Sequence, residues 1–224
     1  MTVLPPIISR LWPRHRTPLL ALLSLVVPWF IFVRLAREVW EGEGLPGDRS
    51  ILDFLQAHRG PAQDAAALGL SRLGGPLGAS LLAIGVAIGL WWALQRQAAF
   101  FFGLAVAGAA LLNLAAKYFV PRSRPVSWMA LHLPTAHSFP SGHSMAAAAL
   151  GAALALLLWP TRWRWSGLAA GVAWALGMGW SRVYLGVHYP SDVLAGWVGS
   201  LGWVSGLHLL FRHRLRTLGA AFTR

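Results

Sequence analysis

Residues Gln97–Ala116 read QAAFFFGLAVAGAALLNLAA, twenty positions without a charge. At 1.5 Å of rise per residue, a helix of that length is about 30 Å long, the thickness of a bilayer's hydrocarbon core. Five further uncharged stretches flank it: Thr17–Val33, Leu73–Gln95, Ser144–Thr161, Trp165–Ser181 and Val193–Phe211. All six are 17 to 23 residues long, and crossing as a helix takes roughly 17–25. Membrane helices tolerate the glycine and proline inside them better than soluble helices do. Six such helices in a soluble core would need an amphipathic shell, and the remaining sequence is too short to build one. The expected fold is all-α, a polytopic membrane protein with a six-transmembrane-helix bundle in one domain over residues 1–224.

Composition agrees. The 224 residues are 56% hydrophobic and only 12% charged, with a mean hydropathy of +0.55, whereas a soluble domain carries about 25% charged residues. A net charge of +12 would suit nucleic acid if it were clustered. Here the basic residues are dispersed between apolar runs, so they read as topology signals plus an anion site, and no nucleic-acid partner is expected. With no cysteine, a disulfide framework, a thiol nucleophile and a thiolate metal site are all excluded.

Charges in alternate connections set the orientation. One side carries Arg10, Arg14, Arg16, Arg96, Arg162, Arg164, Arg212, Arg214, Arg216 and Arg224 and no acid; the other carries nine basic residues and all seven acids. The positive-inside rule then puts both termini in the cytoplasm of a multi-pass protein of the plasma (inner) membrane. Trp91 and Trp92 before Arg96, and Trp159, Trp163 and Trp165 around Arg162 and Arg164, suit an interfacial belt. The stretch before Thr17 is basic like a signal peptide's, but no small-x-small cleavage site follows, so a retained first helix is expected. In the long outer connection, 34–72, Ile51, Leu52 and Leu55 recur at helical spacing before Arg59-Gly60-Pro61, as in a short interfacial helix. The acids of this connection read as a solvated surface.

Two outer connections hold residues that helix ends do not need. The first runs from Lys117 through Arg122, Arg124 and Pro125, then a histidine-bearing segment, to Pro140-Ser141-Gly142-His143; the second runs from Ser181-Arg182 to His188 and Asp192. Lys117, Arg124 and Arg182 are like charges at a membrane edge, costly unless an anion joins them. Arginine forks and a lysine point charge suit a phosphoryl group. Ser141 and Gly142 fall where a helix begins, with amide N–H groups free for an anion. His188 and Asp192 are four apart, so the carboxylate can fix the imidazole tautomer and leave the other nitrogen as a nucleophile. His143 can protonate a leaving alkoxide. Singly, these residues read as snorkelling anchors, interfacial histidines or a helix-dipole acid; together they read as a catalytic site. Arg122 and His137 read as loop residues or as contacts to a second phosphate.

The pattern resembles the type 2 phosphatidic acid phosphatase (PAP2) superfamily. Lys117, six residues, then Arg124-Pro125 match its first block; Pro140-Ser141-Gly142-His143 match the second; Ser181-Arg182, five residues, His188, three residues and Asp192 match the third. The likeness covers about residues 70–212. It implies a PAP2/haloperoxidase-like six-helix core and a phosphatase needing neither metal nor cofactor. Lys117, Arg124 and Arg182 would hold phosphate with Ser141 and Gly142. His188 would form a phosphohistidine, Asp192 would orient it, and His143 would protonate the leaving group. The substrate class implied is a lipid phosphate or diphosphate: phosphatidic acid, phosphatidylglycerol phosphate or a polyprenyl diphosphate. Opposite protonation needs of the two histidines imply a bell-shaped pH–rate profile. The competing readings are an anionic-lipid transporter or binding protein, a phosphotransferase using the same phosphohistidine, and a His/Asp metal hydrolase.

Overall fold

The computed structural model describes residues 6–42, 44–93, 95–125 and 137–219, with side chains between residues 19 and 212. The side chains of Arg10, Arg14, Arg16, Arg214 and Arg216, all of Glu43 and Arg224, and the segment 126–136 lie outside that description. The described residues form eight helices: α1 (Pro6–Trp40), α2 (Asp48–Ala57), α3 (Pro61–Leu73), α4 (Pro76–Trp92), α5 (Arg96–Phe119), α6 (Gly142–Leu158), α7 (Arg164–Tyr184) and α8 (Pro190–Gly219). Pro61, Pro76 and Pro190 each open a helix, where a missing N–H costs nothing. Ser141 caps α6 by accepting from the amide of Ser144.

The six apolar stretches fall on α1, α4, α5, α6, α7 and α8. Leu19–Trp40 of α1, Arg96–Phe119 and Pro190–Arg212 of α8 are each long and apolar enough to cross a bilayer, and α3 with α4 forms a fourth such unit bent by 54°. The shorter α6, at 17 residues, is the central helix, packed on α5, α7 and α8. Large apolar side chains point outward along the bundle, among them Phe30, Leu77, Leu81, Phe100, Leu111, Leu114 and Leu210. Lipid, not water, is the solvent such a surface requires, and the chain is a multi-pass membrane protein.

Burying apolar groups against each other gains little in lipid, so close contact of small residues has to hold the helices. The core shows this: Phe101, Phe102, Ala105 and Ala109 of α5 meet Met145, Ala149, Leu150 and Ala153 of α6 and Val204 and Leu207 of α8. Phe32 and Trp29 of α1 press against Gly199 and Gly202 of α8. Between α6 and α7 the backbones nearly touch, since a Cβ added at Gly151 would lie 2.9 Å from Gly171 Cα.

The chain direction alternates so that the ends of α1, α3, α5 and α7 and the starts of α6 and α8 gather at one end of the bundle. At the other end, Arg96, Arg162 and Arg164 lie over the rings of Trp91, Trp163 and Trp165 at 5.2, 5.0 and 5.6 Å. Paired cations and indoles of this kind suit a membrane–water boundary.

Gly151→Val forces α6 from α7 and is expected to cost about 1–3 kcal/mol, lowering the melting temperature in detergent. Gly85→Val, on an open face of α4 with no atom within 4 Å, should melt as the parent protein does. Equal melting of both variants would contradict this packing.

Candidate active site at one end of the bundle

The start of α8 organises the site. His188 is 2% exposed and Asp192 is fully buried. Asp192 Oδ2 accepts from the Tyr189 amide at 2.9 Å and lies 3.4 Å from His188 Nδ1. That approach is long and misses hydrogen-bond alignment. Arg124 Nη1 lies 3.3 Å from His188 Nε2 and donates to the Val187 carbonyl at 2.9 Å. The partners assign the tautomer: a carboxylate faces Nδ1, which carries the proton, and a guanidinium faces the Nε2 lone pair. The two polar connections therefore converge on one imidazole.

Arg182, at the last turn of α7, is buried and donates through Nη1 to Ser71 Oγ of α3. Its Nε–H has no partner among the described residues. A buried arginine donor beside a second cation is suited to an oxyanion. Lys117 Nζ donates to the His137 carbonyl at 2.5 Å and stands close enough to Arg124 and Asp192 to feel both charges. His143, in the first turn of α6, lies near the Ser71 backbone and close enough to Arg182 and Arg124 to feel both charges.

Ser141 and Gly142 contribute unequally. The Ser141 amide is already used, donating to the Asp192 carbonyl at 3.0 Å, and this bond joins the start of α6 to the start of α8. Ser141 Oγ accepts from Ser144 Oγ at 2.9 Å, which leaves its own hydrogen to donate. A Cβ on Gly142 would come 3.1 Å from Asn113 Oδ1, so the absence of a side chain lets α6 start against α5. Asn113 Nδ2 donates to the Pro140 carbonyl at 3.0 Å, pinning the turn before α6.

All eight residues singled out in the sequence thus lie at one end of the bundle. Four more support them and stand outside the motif. Asn113 was detectable as a lone amide in an apolar stretch. Ser71 gave no signal. Asp48 and Arg122 differ from their sequence readings. Asp48 is 5% exposed, not part of a solvated surface. Its carboxylate accepts from the Ser191 amide at 2.9 Å, the Ser191 hydroxyl at 2.5 Å and Arg122 Nη2 at 2.9 Å. Arg122 Nη1 donates to Asp192 Oδ1 at 2.6 Å, and its guanidinium stacks 4.1 Å from the Tyr189 ring centre. Arg122 is a loop residue, in the connection after α5, but its guanidinium is committed to two carboxylates and is no free contact for a second phosphate.

Burial pushes the His188 imidazole down to about 4, with Arg182 and Arg124 adding to the effect and Asp192 opposing it. Burial also lowers Arg124, partly offset by Asp192. For Arg122 burial opposes the charge, but Asp192 and Asp48 outweigh it and hold the pKa above its usual value.

Residues 98–216 match the sequence pattern of the PAP2 superfamily. The chain is 37% identical over 105 residues to an undecaprenyl-diphosphatase of Sulfolobus acidocaldarius, covering 44% of this chain and 48% of that one. It is 41% identical over 98 residues to a phosphatidylglycerophosphatase B of Bacillus subtilis, covering 41% and 46%. The chain thus spans about half the length of these curated relatives. The crystal structure of a transmembrane PAP2-type phosphatidylglycerolphosphate phosphatase from Bacillus subtilis superposes with a TM-score of 0.75 at 24% identity, covering 85% of this chain and 97% of that one, so the fold is shared.

The imidazole of His188 is expected to titrate by NMR with a midpoint near 4, against about 6.5 for a free histidine. Asp192→Asn removes the influence that favours the charged ring, so the midpoint should fall further. A midpoint at or above 6.5 in the parent protein would contradict the buried geometry.

Proposed function

The chain belongs to the PAP2 superfamily, and from that premise we propose that it is a metal-independent phosphatase of lipid phosphates or lipid diphosphates. One observation carries the reading: Arg124 touches His188 Nε2 while Asp192 faces Nδ1. A nucleophile oriented by a carboxylate, with its attacking lone pair directed at a cation, is what phosphoryl transfer to nitrogen requires. A neutral ligand would give these groups no use.

In the proposed reaction Lys117, Arg124, Arg182 and the Ser141 hydroxyl, with amides at the start of α6, hold the phosphoryl oxygens. His188 is neutral across the physiological range, as its depressed pKa requires, and its Nε2 lone pair attacks phosphorus. Burial, Arg182 and Arg124 disfavour the charged form of His143, so the phosphate's own negative charge is what draws a proton onto it. The P–N bond then forms as the P–O bond to the lipid breaks, and His143 gives that proton to the departing oxygen. The positive charge appearing on the imidazole is met by Asp192 at Nδ1. Water then attacks phosphorus, gives its proton to His143, and the P–N bond breaks to release inorganic phosphate. With a diphosphate the leaving group is itself a phosphate, so less depends on His143 than with a monoester.

The names of the relatives support the candidates phosphatidylglycerol phosphate and a polyprenyl diphosphate, with phosphatidic acid as the third. The site binds only the phosphoryl head, and the tails stay in lipid. The charge count supports both termini in the cytoplasm, and hence the site on the outer face of the inner membrane. Exposed Ile51 and Phe54 on α2 support that helix lying at the interface.

Purified protein should release phosphate from one or more of these lipids in excess EDTA. His188→Ala should abolish release. His143→Ala should slow it by about 10²–10⁴-fold for a monoester and by less for a diphosphate. Full release by His188→Ala would favour a contaminant acting beside a transporter or binding protein. Loss in EDTA would favour a metal hydrolase. Phosphate found on another lipid or sugar instead of in solution would identify a transferase.

A further inference from the structure

The connection 34–72 lies outside most of the signature, yet Asp48 reaches from it into the start of α8. The charges there form a line: Asp48, Arg122, Asp192, His188, with closest approaches of 2.9, 2.6 and 3.4 Å. The side chains of Asp48, Arg122 and Asp192 are 6%, 13% and 0% exposed, so water screens this line poorly. A lone guanidinium at Arg122 would draw on the Asp192 charge and work against a positive imidazole behind it. A second carboxylate on the far side of the guanidinium offsets that.

We propose that Asp48 is a positioning residue for the His188–Asp192 pair, acting through Arg122: its carboxylate balances the guanidinium, so Asp192 keeps its full charge for the imidazole. The geometry has the parts this needs. Arg122 uses Nη2 for Asp48 and Nη1 for Asp192, so one planar group fixes both carboxylates, and Tyr189 stacks on its face. Ser191 ties the same ends together, since its hydroxyl accepts from Arg122 and donates to Asp48 while its amide donates to Asp48. Asp48 is itself held by α2, whose Leu52 packs on Val183 and Val193. A segment with no part in binding phosphate thereby sets the charge behind the nucleophile. The groups facing His188 are Asp192 from α8, Arg124 from the connection after α5, Arg182 from α7 and His143 from α6. The line through Arg122 acts on the first of these alone.

The inference rests on His188 being the nucleophile, and its test separates the two. Asp48→Asn keeps the shape and an acceptor but removes the charge. It should lower kcat on the order of tenfold, the coupling expected within one hydrogen-bond network, and leave KM within about twofold. It should also move the His188 NMR titration to lower pH, a readout that needs no substrate. Adding Arg122→Met removes the unbalanced cation and should restore both quantities toward the parent. Should Asp48→Asn alone fail to fold, the comparison becomes Arg122→Met against Arg122→Met with Asp48→Asn, which should agree within about twofold in kcat. A role for Asp48 only in capping α8 predicts the opposite: the loss persists, or deepens, without Arg122. That outcome, or an Asp48→Asn protein with parental kcat and His188 titration, overturns the inference. A parent protein that releases no phosphate from any lipid tested would sink the proposed function instead, and the titration would still decide the role of Asp48.

Discussion

Arg124 crosses from the connection before α6 to the connection before α8, where it holds the Val187 carbonyl and faces the lone pair of His188. The rest of the site depends on this meeting. It requires that α5, α6, α7 and α8 deliver their polar ends to the same place, and in lipid close packing and interhelical hydrogen bonds fix their heights. The Gly151–Gly171 contact sets α6 against α7. The bond from the Ser141 amide to the Asp192 carbonyl sets α6 against α8, and Asn113 sets α5 against the turn before α6.

The meeting has an electrostatic cost that the structure distributes unevenly. Lys117, Arg124 and Arg182 gather around one imidazole, with Asp192 the acid among them. Burial and the two guanidinia keep His188 uncharged, which suits attack but would make a cationic phosphoimidazole expensive. In the proposed reaction Asp192, fully buried and 3.4 Å from Nδ1, is the group that would meet that charge. Arg122 and Asp48 add a balanced pair behind it and leave the cup itself net positive, the charge that the proposed anionic head group would meet.

The sequence made the helices readable because apolar runs of bilayer length have few other uses. The site was readable because its residues sit at fixed offsets beside helix ends, where spacing translates directly into proximity. His188 and Asp192 needed only four residues of separation. The residues that escaped notice act over long distances in the chain. Asp48 lies 143 positions from Ser191, and Ser71 lies 111 from Arg182, so no local period connects them. Asp48 sat among six acids of one connection, where composition could not separate a buried carboxylate from solvated ones. Arg122, two residues from Arg124, read as a loop residue or a second phosphate contact, because a residue type does not reveal that two carboxylates hold it. The N-terminal third thus contributes Asp48 and Ser71 to the frame of the candidate site.

The central claim, a covalent bond from His188 to phosphorus inside a cationic cup, is tested most directly by trapping. Substrate labelled at its terminal phosphoryl group is mixed with the protein, quenched in alkali within the first turnover, and the protein is digested for mass spectrometry. Phosphohistidine survives alkali, so the account predicts label on the peptide carrying His188, absent from a His188→Gln protein. Rapid turnover with no label on the protein, or label confined to His143, would contradict it.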